Sequence, residues 1–319
     1  MKRSRIFAAR LDVGERWACR VIEADRTSVR YQSRRADDGE IREKLRVLAQ
    51  ERRRFGYRRL HILLRRDGVL INRKKTQRLY REEGLTVRRR KGRKRAVGTR
   101  TRPLVLAFPN QCCSLDFVHD QLVTGRRFRV LNIVDDVTRE CLAAVSDSAG
   151  GGSAGGTTQS RAISGKRVVR ELTELIARRG KPGMIVSDNG TELTSNAVLA
   201  WCGEARVEWH YTTPGKPTQN AFVESFNGRM RDELLNETLF MSMGHAREKI
   251  AEWADDYNTG RPHSALGYAT PAEFAAELNK HWPASLRPAS LRPTGCAAQA
   301  IAYPALMRNN DAETLIATG

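Results

Sequence analysis

The stretch from residue 211 to residue 235 constrains the fold of this chain more than any other; it reads YTTPGKPTQNAFVESFNGRMRDELL. Two prolines and a glycine exclude a helix at its start, and Thr218 is a favourable N-cap for a helix that follows. Within that helix an apolar stripe recurs at helical spacing, formed by Val223, Phe226, Met230 and Leu234. A polar stripe runs beside it, formed by Asn220, Glu224, Asn227 and Arg231. The pattern puts a carboxylate next to a core-facing stripe, although an ordinary solvated face would show the same spacing.

Two more carboxylates lie in or beside short apolar runs that predict buried strands. Asp188 follows the run MIVS at residues 184–187, and 35 residues separate it from Glu224. Asp116 lies inside the run CCSLDFV at residues 112–118. A carboxylate in the middle of an apolar strand is costly to bury without a partner, and a divalent cation is a good candidate for that partner.

These three carboxylates, at this spacing, resemble the DD(35)E catalytic core that retroviral integrases share with many insertion-sequence transposases. Three longer motifs, SDNGTEL, YTTPGKPTQNAFVESFNGRMRDE and DDYNTGRPHSALGYATPAEF, are together similar to the second-frame (OrfB) transposase of insertion-sequence family 3. The resemblance covers about residues 15–280. It implies a DNA transposase that carries out metal-dependent cleavage and strand transfer of insertion-sequence ends, the reactions of transposition, DNA recombination and DNA integration.

The resemblance also implies roles for individual residues. Asp116 would bridge two Mg²⁺ (or Mn²⁺) ions, with Asp188 holding one ion and Glu224 the other. Magnesium prefers oxygen ligands, so three carboxylates suffice. Two such ions stabilise the attacking and leaving oxygens of an in-line displacement at phosphorus. Arg231 stands where the family has a cation that contacts the transposon end.

The positive charge of the chain is confined to its first third. Residues 1–103 hold 34 Lys and Arg against 12 Asp and Glu, whereas the remaining residues hold 22 against 24. Such asymmetry is typical of nucleic-acid binding, because a surface that is merely soluble mixes the two signs. The charge predicts DNA as a partner, which the resemblance specifies as transposon terminal inverted repeats and target DNA. The predicted DNA contacts are Arg73, Lys74, Lys75, Arg78, Arg88, Arg89, Arg90, Lys216, Arg231, Asn220 and Asn227, the last two equally suited to support the carboxylates.

Helical patterns divide the basic third into two segments and a linker. Residues 1–34 predict a short helix-turn-helix-like segment. Residues 38–87 predict a second helix-turn-helix-like DNA-binding domain of three helices, the last of them capped by Asn72. Residues 88–103 form a basic linker with no apolar periodicity. A small helical bundle with a solvated basic surface is the alternative for both helical segments.

The remainder of the chain predicts an α/β fold. Three strand-like runs, the last ending at Val145, are followed by alternating helices and strands, which is the order of an RNase H-like integrase core with a mixed five-stranded sheet. In that order Asp116 lies on the first strand and Asp188 at the carboxyl end of the fourth, and those two strands should be neighbours. The predicted core spans residues 104–280, and the tail at residues 281–319 is poorly organised.

Two features depart from the family pattern. The family usually has Trp three residues before the first catalytic Asp, and Cys113 stands there; an indole lost without repacking would cost about 3 kcal/mol. Residues 147–160, DSAGGGSAGGTTQS, form a flexible Gly-rich insertion where comparable sequences turn in a few residues. Two alternatives stay open for the function, and both features fit the first of them. One is a catalytically impaired DNA-binding regulator derived from such a transposase, and the other is an RNase H-type nuclease acting on hybrids.

The remaining sequence features concern compartment and assembly. The six cysteines form no C-x-x-C pair and have no His at zinc spacing, so they are expected to be reduced, buried thiols of a cytoplasmic protein. No apolar run approaches the ~20 residues of a membrane span, and no signal peptide is expected after Met1. The resemblance implies a bacterial, nucleoid-associated protein that works as a homo-multimer on DNA. It also implies that an upstream-frame protein can be joined to it by a frameshift.

Overall fold

The computed structural model describes residues 14–21, 23–30, 38–87, 108–148, 163–213 and 220–281. The chain divides into two compact units, Met1–Leu45 and Arg46–Gly319. The predicted basic linker, residues 149–160 of the Gly-rich insertion and residues 282–319 of the predicted tail lie outside the described residues.

The first unit holds two short helices and the start of a third. They are α1 (Glu15–Val21), α2 (Arg26–Arg30) and α3 (Gly39–Glu51), the last of which continues into the second unit. α1 buries Ala18 and Cys19. An exposed ion pair joins Arg30 Nε to Glu15 Oε1 at 2.8 Å. The two short helices that the sequence predicts near the start of the chain are therefore confirmed.

A pair of packed helices follows in the second unit, α4 (Tyr57–Arg66) and α5 (Arg73–Glu82). Asn72 caps α5 as predicted, because its side-chain oxygen accepts a hydrogen bond from the Lys74 backbone N–H at 2.7 Å. A buried hydrogen bond joins His61 Nδ1 of α4 to Thr76 Oγ1 of α5 at 3.0 Å. Burial lowers the pKa of His61, so the imidazole is neutral at pH 7 and this contact between the helices carries no charge.

A five-stranded mixed sheet forms the core of the second unit. Its strands are β1 (Cys112–Gln121), β2 (Arg127–Asp135), β3 (Cys141–Ser148), β4 (Met184–Ser187) and β5 (Glu208–Tyr211), in the order β3-β2-β1-β4-β5. The first three strands form an antiparallel meander, β4 runs parallel to β1, and β5 runs parallel to β4. The predicted mixed sheet and the predicted pairing of the first strand with the fourth are confirmed.

β3 extends beyond the end that the sequence indicates at Val145. The register pairs Asp147 with Arg129 of β2 and Ser148 with Phe128. The first two residues assigned to the Gly-rich insertion therefore belong to the strand. Their side chains are small and polar, so the sequence pattern resembles a loop, but the main-chain pairing with β2 continues through them.

Helices cover both faces of the sheet, and alternate side chains of the strands supply two separate cores. The helices are α6 (Gly165–Arg179), α7 (Asn196–Ala205), α8 (Ala221–Met230), α9 (Met243–Thr259) and α10 (Pro271–His281). Leu115 and Leu131 pack with α6 and α7, whereas Val118 and Val130 pack with α8 and α9. Of the helices in the described residues, none combines the length and the apolar content that a membrane crossing requires.

α8 begins at Ala221, directly after Asn220, and the predicted cap Thr218 lies outside the described residues. The predicted apolar stripe is confirmed, because all four of its members are buried: Val223, Phe226, Met230 and Leu234. The last of these lies in a π-helical turn, Arg231–Leu235, which continues α8. Such turns are rare inside helices and occur frequently at functional sites.

A buried polar cluster lies where β2 ends. Asp135 is fully buried, accepts hydrogen bonds from three backbone N–H groups and pairs with Arg179 of α6 at 3.2 Å. Its neighbour Asp136 accepts hydrogen bonds from Ser114 Oγ at 2.6 Å and from Cys112 Sγ at 3.1 Å. Burial raises the pKa of Asp136 to about 6, against these two hydrogen bonds, which act to lower it.

Replacing Asp136 by Asn is expected to remove part of the pH dependence of stability. The folded-state pKa of Asp136, about 6, lies above the ordinary value of 3.8. At a pH between these two pKa values, the folded protein holds a proton that the unfolded chain has released. The free energy of unfolding therefore falls as the pH rises through this range. The full effect corresponds to roughly 3 kcal/mol. Urea unfolding at about pH 4 and about pH 7 measures it, and an equal loss of stability in wild type and Asp136→Asn would contradict this assignment.

Candidate active site

The parallel pairing of β1 with β4 brings two of the predicted carboxylates to the same level of the sheet. Leu115 lies opposite Ser187 in the register, and Asp116 and Asp188 are the next residues along the two chains. Asp116 is partly buried within β1, and Asp188 is partly buried just beyond the end of β4. The strand order therefore accounts for the proximity of two carboxylates that are distant in sequence.

α8 presents Glu224 to the same region. Asn227, one turn after Glu224, donates from Nδ2 to Asp116 Oδ2 at 2.8 Å. Asn220, one turn before Glu224, donates from Nδ2 to the backbone carbonyl of Leu115 at 3.1 Å. Residues at this spacing share one side of a helix, so Glu224 lies between two amides that both contact β1. Its own side chain is exposed to solvent.

The pKa of Asp116 is raised to about 6. Burial is the largest cause, and the negative charges of Asp188 and Glu224 add to it. The hydrogen bonds that the carboxylate accepts from the Phe117 backbone N–H and from Asn227 act in the opposite direction. The three carboxylates therefore act on one another electrostatically, and a site that concentrates negative charge in this way attracts a cation.

A second buried amide, which sequence reasoning missed, holds Asn227 in place. Asn132 of β2 lies opposite Asp116 in the β1–β2 register and donates from Nδ2 to Asn227 Oδ1 at 2.7 Å. Asn132 is fully buried and Asn227 is 7% exposed. The oxygen of Asn227 therefore faces Asn132, and its NH₂ group faces Asp116. An Asn inside the apolar strand RFRVLNIVD was the available signal, but its partners depend on a strand register that the sequence does not contain.

The turn after β4 holds Asp188 by close backbone packing. The Gly190 N–H donates to Asp188 Oδ1 at 3.2 Å. A Cβ atom at position 190 would lie only 3.2 Å from the same oxygen, so glycine leaves the carboxylate room. Asn189 Nδ2 donates to the backbone carbonyl of Thr212 at 2.8 Å, which joins this turn to the segment after β5.

A further carboxylate of this turn, Glu192, has a different partner. It forms an ion pair with Arg129 of β2 and accepts a hydrogen bond from Thr191 Oγ1 at 3.1 Å. Burial acts to raise the pKa of Glu192, but its hydrogen bonds and the charge of Arg129 outweigh burial and lower the pKa. Glu192 is therefore an ion-paired carboxylate that stabilises the turn, in contrast to Asp116.

The donor set of the three carboxylates fits a magnesium site. It supplies only oxygen ligands, which Mg²⁺ prefers, and the charges of Asp188 and Glu224 add to burial in raising the pKa of Asp116. Within the described residues, no three side chains of Asp, Glu, His or Cys are gathered into one ligand set as they stand.

The predicted DNA contacts on α5 lie in its first two turns. Arg73 and Lys74 are exposed and make no ion pair with any residue that the structure describes. Lys75 and Arg78 are partly buried, and Arg78 pairs with Glu82 of the same helix at 2.9 Å. Arg73 and Lys74 are therefore the two members of this group that are most accessible to a phosphate backbone.

The other predicted DNA contacts lie on α8 or outside the described residues. Arg231 is exposed at the first position of the π-helical turn. Asn220 and Asn227 are buried and hydrogen-bonded within the protein, so their amides support β1 and Asp116. Residues outside the described part of the chain are Arg88, Arg89, Arg90 and Lys216.

Gly228 leaves open space one turn beyond Glu224. It lies inside α8, and no atom of its surroundings lies within 4 Å of the position that a Cβ atom would take. Glycine destabilises a helix interior by roughly 1 kcal/mol relative to alanine. A stretch of helix surface without a side chain therefore adjoins the exposed carboxylate.

Comparison with known proteins agrees with this architecture. Two models of the integrase core domain match residues 107–217 and 205–271, and a model of the HTH-like domain matches residues 36–93. A 31.7 kDa protein of insertion element IS407 from Burkholderia multivorans is 43% identical over 269 residues, which are 84% of this chain and 92% of that protein. This chain belongs to the OrfB-type transposases of insertion-sequence family 3.

Other relatives of this transposase also come from insertion elements. A 39.2 kDa protein of insertion element IS476 from Xanthomonas euvesicatoria is 43% identical over 265 residues, or 83% of this chain and 73% of that protein. The transposase InsD for insertion element IS2D from Escherichia coli K12 is 25% identical over 253 residues, or 76% and 80% of the two chains. The similarity therefore extends across the helix-turn-helix-like region and the core.

Among solved structures, this transposase is similar to the catalytic core domain of HTLV-2 integrase in complex with magnesium. The TM-score is 0.40 at 16% identity, and the match covers 53% of this chain and 97% of the integrase chain. A chain of the simian T-cell lymphotropic virus intasome, with a TM-score of 0.44 and 14% identity, matches 82% of this chain and 80% of its own length.

Replacing Asn227 by Ala is expected to lower metal-dependent DNA cleavage by about 10- to 100-fold, the usual effect of removing a residue that orients a metal ligand. The carboxylate of Asp116 would lose its only side-chain donor among the described residues. Asn258→Ala is the matched control, because Asn258 also makes two hydrogen bonds, at 2.8 and 2.9 Å, but to the backbone of Cys141. Initial cleavage rates measured well below both melting temperatures should fall only for Asn227→Ala; equal losses would mean that the effect is general destabilisation.

Proposed function

We propose that this transposase cuts the ends of its insertion sequence and transfers the resulting strands to target DNA in a metal-dependent reaction. The observation that carries the proposal is the hydrogen bond from Asn227 to Asp116. This bond joins α8, which carries Glu224, to β1, which carries Asp116 and pairs in parallel with β4, the strand that ends just before Asp188. The resulting arrangement of carboxylates supports displacement at phosphorus, in which negative charge grows on two oxygens and the catalyst must offset it.

The proposed metal ligands are Asp116, Asp188 and Glu224, with Asp116 shared between two Mg²⁺ (or Mn²⁺) ions. When bound, such ions stabilise the charge on the attacking and leaving oxygens. Other residues of the chain keep the ligands in place. Asn227 and the Phe117 backbone N–H hold both oxygens of the Asp116 carboxylate, and the Gly190 N–H holds one oxygen of Asp188.

DNA binding is proposed for the start of α5 and for the exposed flank of α8. Arg73 and Lys74 lie in the first turn of α5, where basic side chains suit phosphate contact. Arg231 lies two turns beyond Glu224 on the same flank, so a guanidinium there can hold the backbone next to the phosphate that reacts. These contacts would bind and orient DNA without contributing to bond breaking.

The assembly that the sequence implies remains part of the proposal. Family members act as multimers on their DNA ends, so we propose a homo-multimer bound to the terminal inverted repeats and to target DNA. An upstream-frame protein joined by a frameshift is a further proposed partner. The proposed place of action is the cytoplasm of a bacterium, at the nucleoid.

Each of Asp116→Asn, Asp188→Asn and Glu224→Gln is expected to abolish Mg²⁺-dependent cleavage of labelled terminal-repeat DNA and to leave DNA binding nearly intact. The substitutions keep side-chain size and remove only the charge that a hard cation requires. Glu252→Gln is the control, since that exposed carboxylate pairs with Lys249 of the same helix, α9. Wild-type cleavage by any of the three variants would refute the assignment of that residue. Binding without cleavage by the wild type, whichever divalent metal is supplied, would instead favour the regulator alternative.

Replacing both Arg73 and Lys74 by Ala is expected to reduce the salt dependence of DNA binding. Each phosphate contact contributes about −0.9 to the slope of log K against log salt concentration, so the double alanine variant should lose up to about 2 from the slope. Arg178→Ala is the control, because Arg178 is equally exposed but lies in the last turn of α6, just before β4 begins. Fluorescence anisotropy over a salt series measures the slopes. An unchanged slope in the double variant would remove α5 from the DNA interface.

A further inference from the structure

Phe55, in the turn between α3 and α4, lies among three guanidinium groups. Its side chain is 4% exposed, and the Cζ atoms of Arg52, Arg59 and Arg261 lie 5.7, 5.2 and 5.6 Å from the centre of its ring. Cation–π contacts of this kind strengthen when water is excluded. Two of the arginines belong to the helix-turn-helix-like region and the third follows α9, so the ring joins the two regions.

Arg261 also binds a carboxylate in the π-helical turn after α8. Arg261 is 1% exposed and donates from Nε to Glu233 Oε2 at 2.8 Å and from Nη2 to Glu233 Oε1 at 2.5 Å. Arg59 Nη1 lies 3.6 Å from the same carboxylate. Burial and the charge of Arg261 lower the pKa of Arg59 to about 10, although Glu233 acts to raise it. The Glu233 carboxylate therefore neutralises one buried cation, Arg261, and one partly buried cation, Arg59. We call Phe55, Arg59, Glu233 and Arg261 the Glu233 cluster.

More exposed ion pairs surround the Glu233 cluster. They are Arg52–Asp256, Arg54–Glu237 at 2.6 Å and Arg66–Glu273 at 3.0 Å. Solvent-exposed pairs individually contribute little to a contact, whereas a buried, fork-shaped Arg–carboxylate pair is geometrically specific. The Glu233 cluster is therefore the more specific part of this contact.

The Glu233 cluster connects two helices that have separate proposed tasks. On one side, α4 carries Arg59 and is joined to the basic helix α5 by the buried contact between His61 and Thr76. On the other side, Glu233 follows Glu224 by nine residues along α8 and its π-helical continuation, a distance of about 13 Å in a helix. A continuous path of packed helices therefore leads from α5 to the carboxylate on α8.

We infer that Glu233 and Arg261 are positioning residues that hold α4 and α5 against the catalytic core and thereby determine where a bound DNA end is cut. The inference rests on the proposed function for its DNA-dependent part. With the contact intact, the number of nucleotides between the phosphates held by α5 and the phosphate at the carboxylates is constant. With the contact loosened, that number varies, because a connection through a peptide linker alone allows many separations.

Two cluster variants and two controls test the inference in the full-length protein. Glu233→Gln removes the shared charge, and Phe55→Leu, a milder change, keeps an apolar side chain and removes the ring. Glu237→Gln is the control for an exposed pair of the same region. Leu172→Ala is the control for lost stability, because Leu172 is 1% exposed in the core between the sheet and α6.

Hydrogen–deuterium exchange without DNA measures the contact itself. In both cluster variants the amides of α4 and α5 should exchange faster, by about tenfold or more in Glu233→Gln, since the buried Arg261 and the partly buried Arg59 then lack their carboxylate. The amides of β1 and β2 should keep their wild-type rates. Glu237→Gln should exchange like the wild type. Unchanged exchange of α4 and α5 in both cluster variants would overturn the inference.

Mapping of cut positions on labelled terminal-repeat DNA with Mg²⁺ measures the positioning role. The wild type should cut at one position, both cluster variants at several neighbouring positions, and Leu172→Ala at the wild-type position with a lower yield. A single wild-type position in both cluster variants would overturn the inference even if exchange is faster. If the wild type does not cut, the proposed function is refuted, and the positioning role with it. The exchange experiment would still show whether the Glu233 cluster holds α4 and α5 against the core.

Discussion

The hydrogen bond from Asn227 to Asp116 joins α8 to β1, and the geometry of the site depends on it. Asn132 extends this contact to β2, so three polar side chains link a helix and two strands within an otherwise apolar layer. Buried amides are tolerated there because they bond to one another and to the carboxylate. The same contacts thus specify how α8 packs on the sheet and which way the Asp116 carboxylate faces.

The proximity of Asp116 and Asp188 could be predicted from strand order, because Asp116 lies within one apolar run, Asp188 follows another, and the two runs pair in parallel. The helix that carries Glu224 could be predicted as well, because its apolar residues recur at regular helical spacing. The contact of Asn132 with Asn227 could not be predicted, because it depends on the register between β1 and β2. The predicted end of β3 at Val145 was wrong, because the backbone pairing with β2 continues beyond it through residues without apolar side chains.

The contacts between the helix-turn-helix-like region and the core could not be predicted from the sequence. The sequence predicts a basic linker at residues 88–103, which lie outside the described residues. The described residues on both sides of it, from Arg46 onward, belong to one compact unit. Ion pairs between residues about 200 positions apart join the two regions, such as Arg52 with Asp256 and Arg66 with Glu273. Part of the basic excess of the first third is therefore neutralised within the protein, so a count of charges overstates what is available to DNA.

The glycine inside α8 has a consequence for the shape of the surface that DNA would meet. A helix normally carries side chains all round, and these keep any rod-shaped ligand several ångströms away from the helix axis. At Gly228 that spacing is absent beside Glu224. If DNA binds along α8 as proposed, its sugar–phosphate backbone could lie directly against the peptide groups of the helix, and its phosphate could come nearer to Glu224 than a larger residue at position 228 would permit.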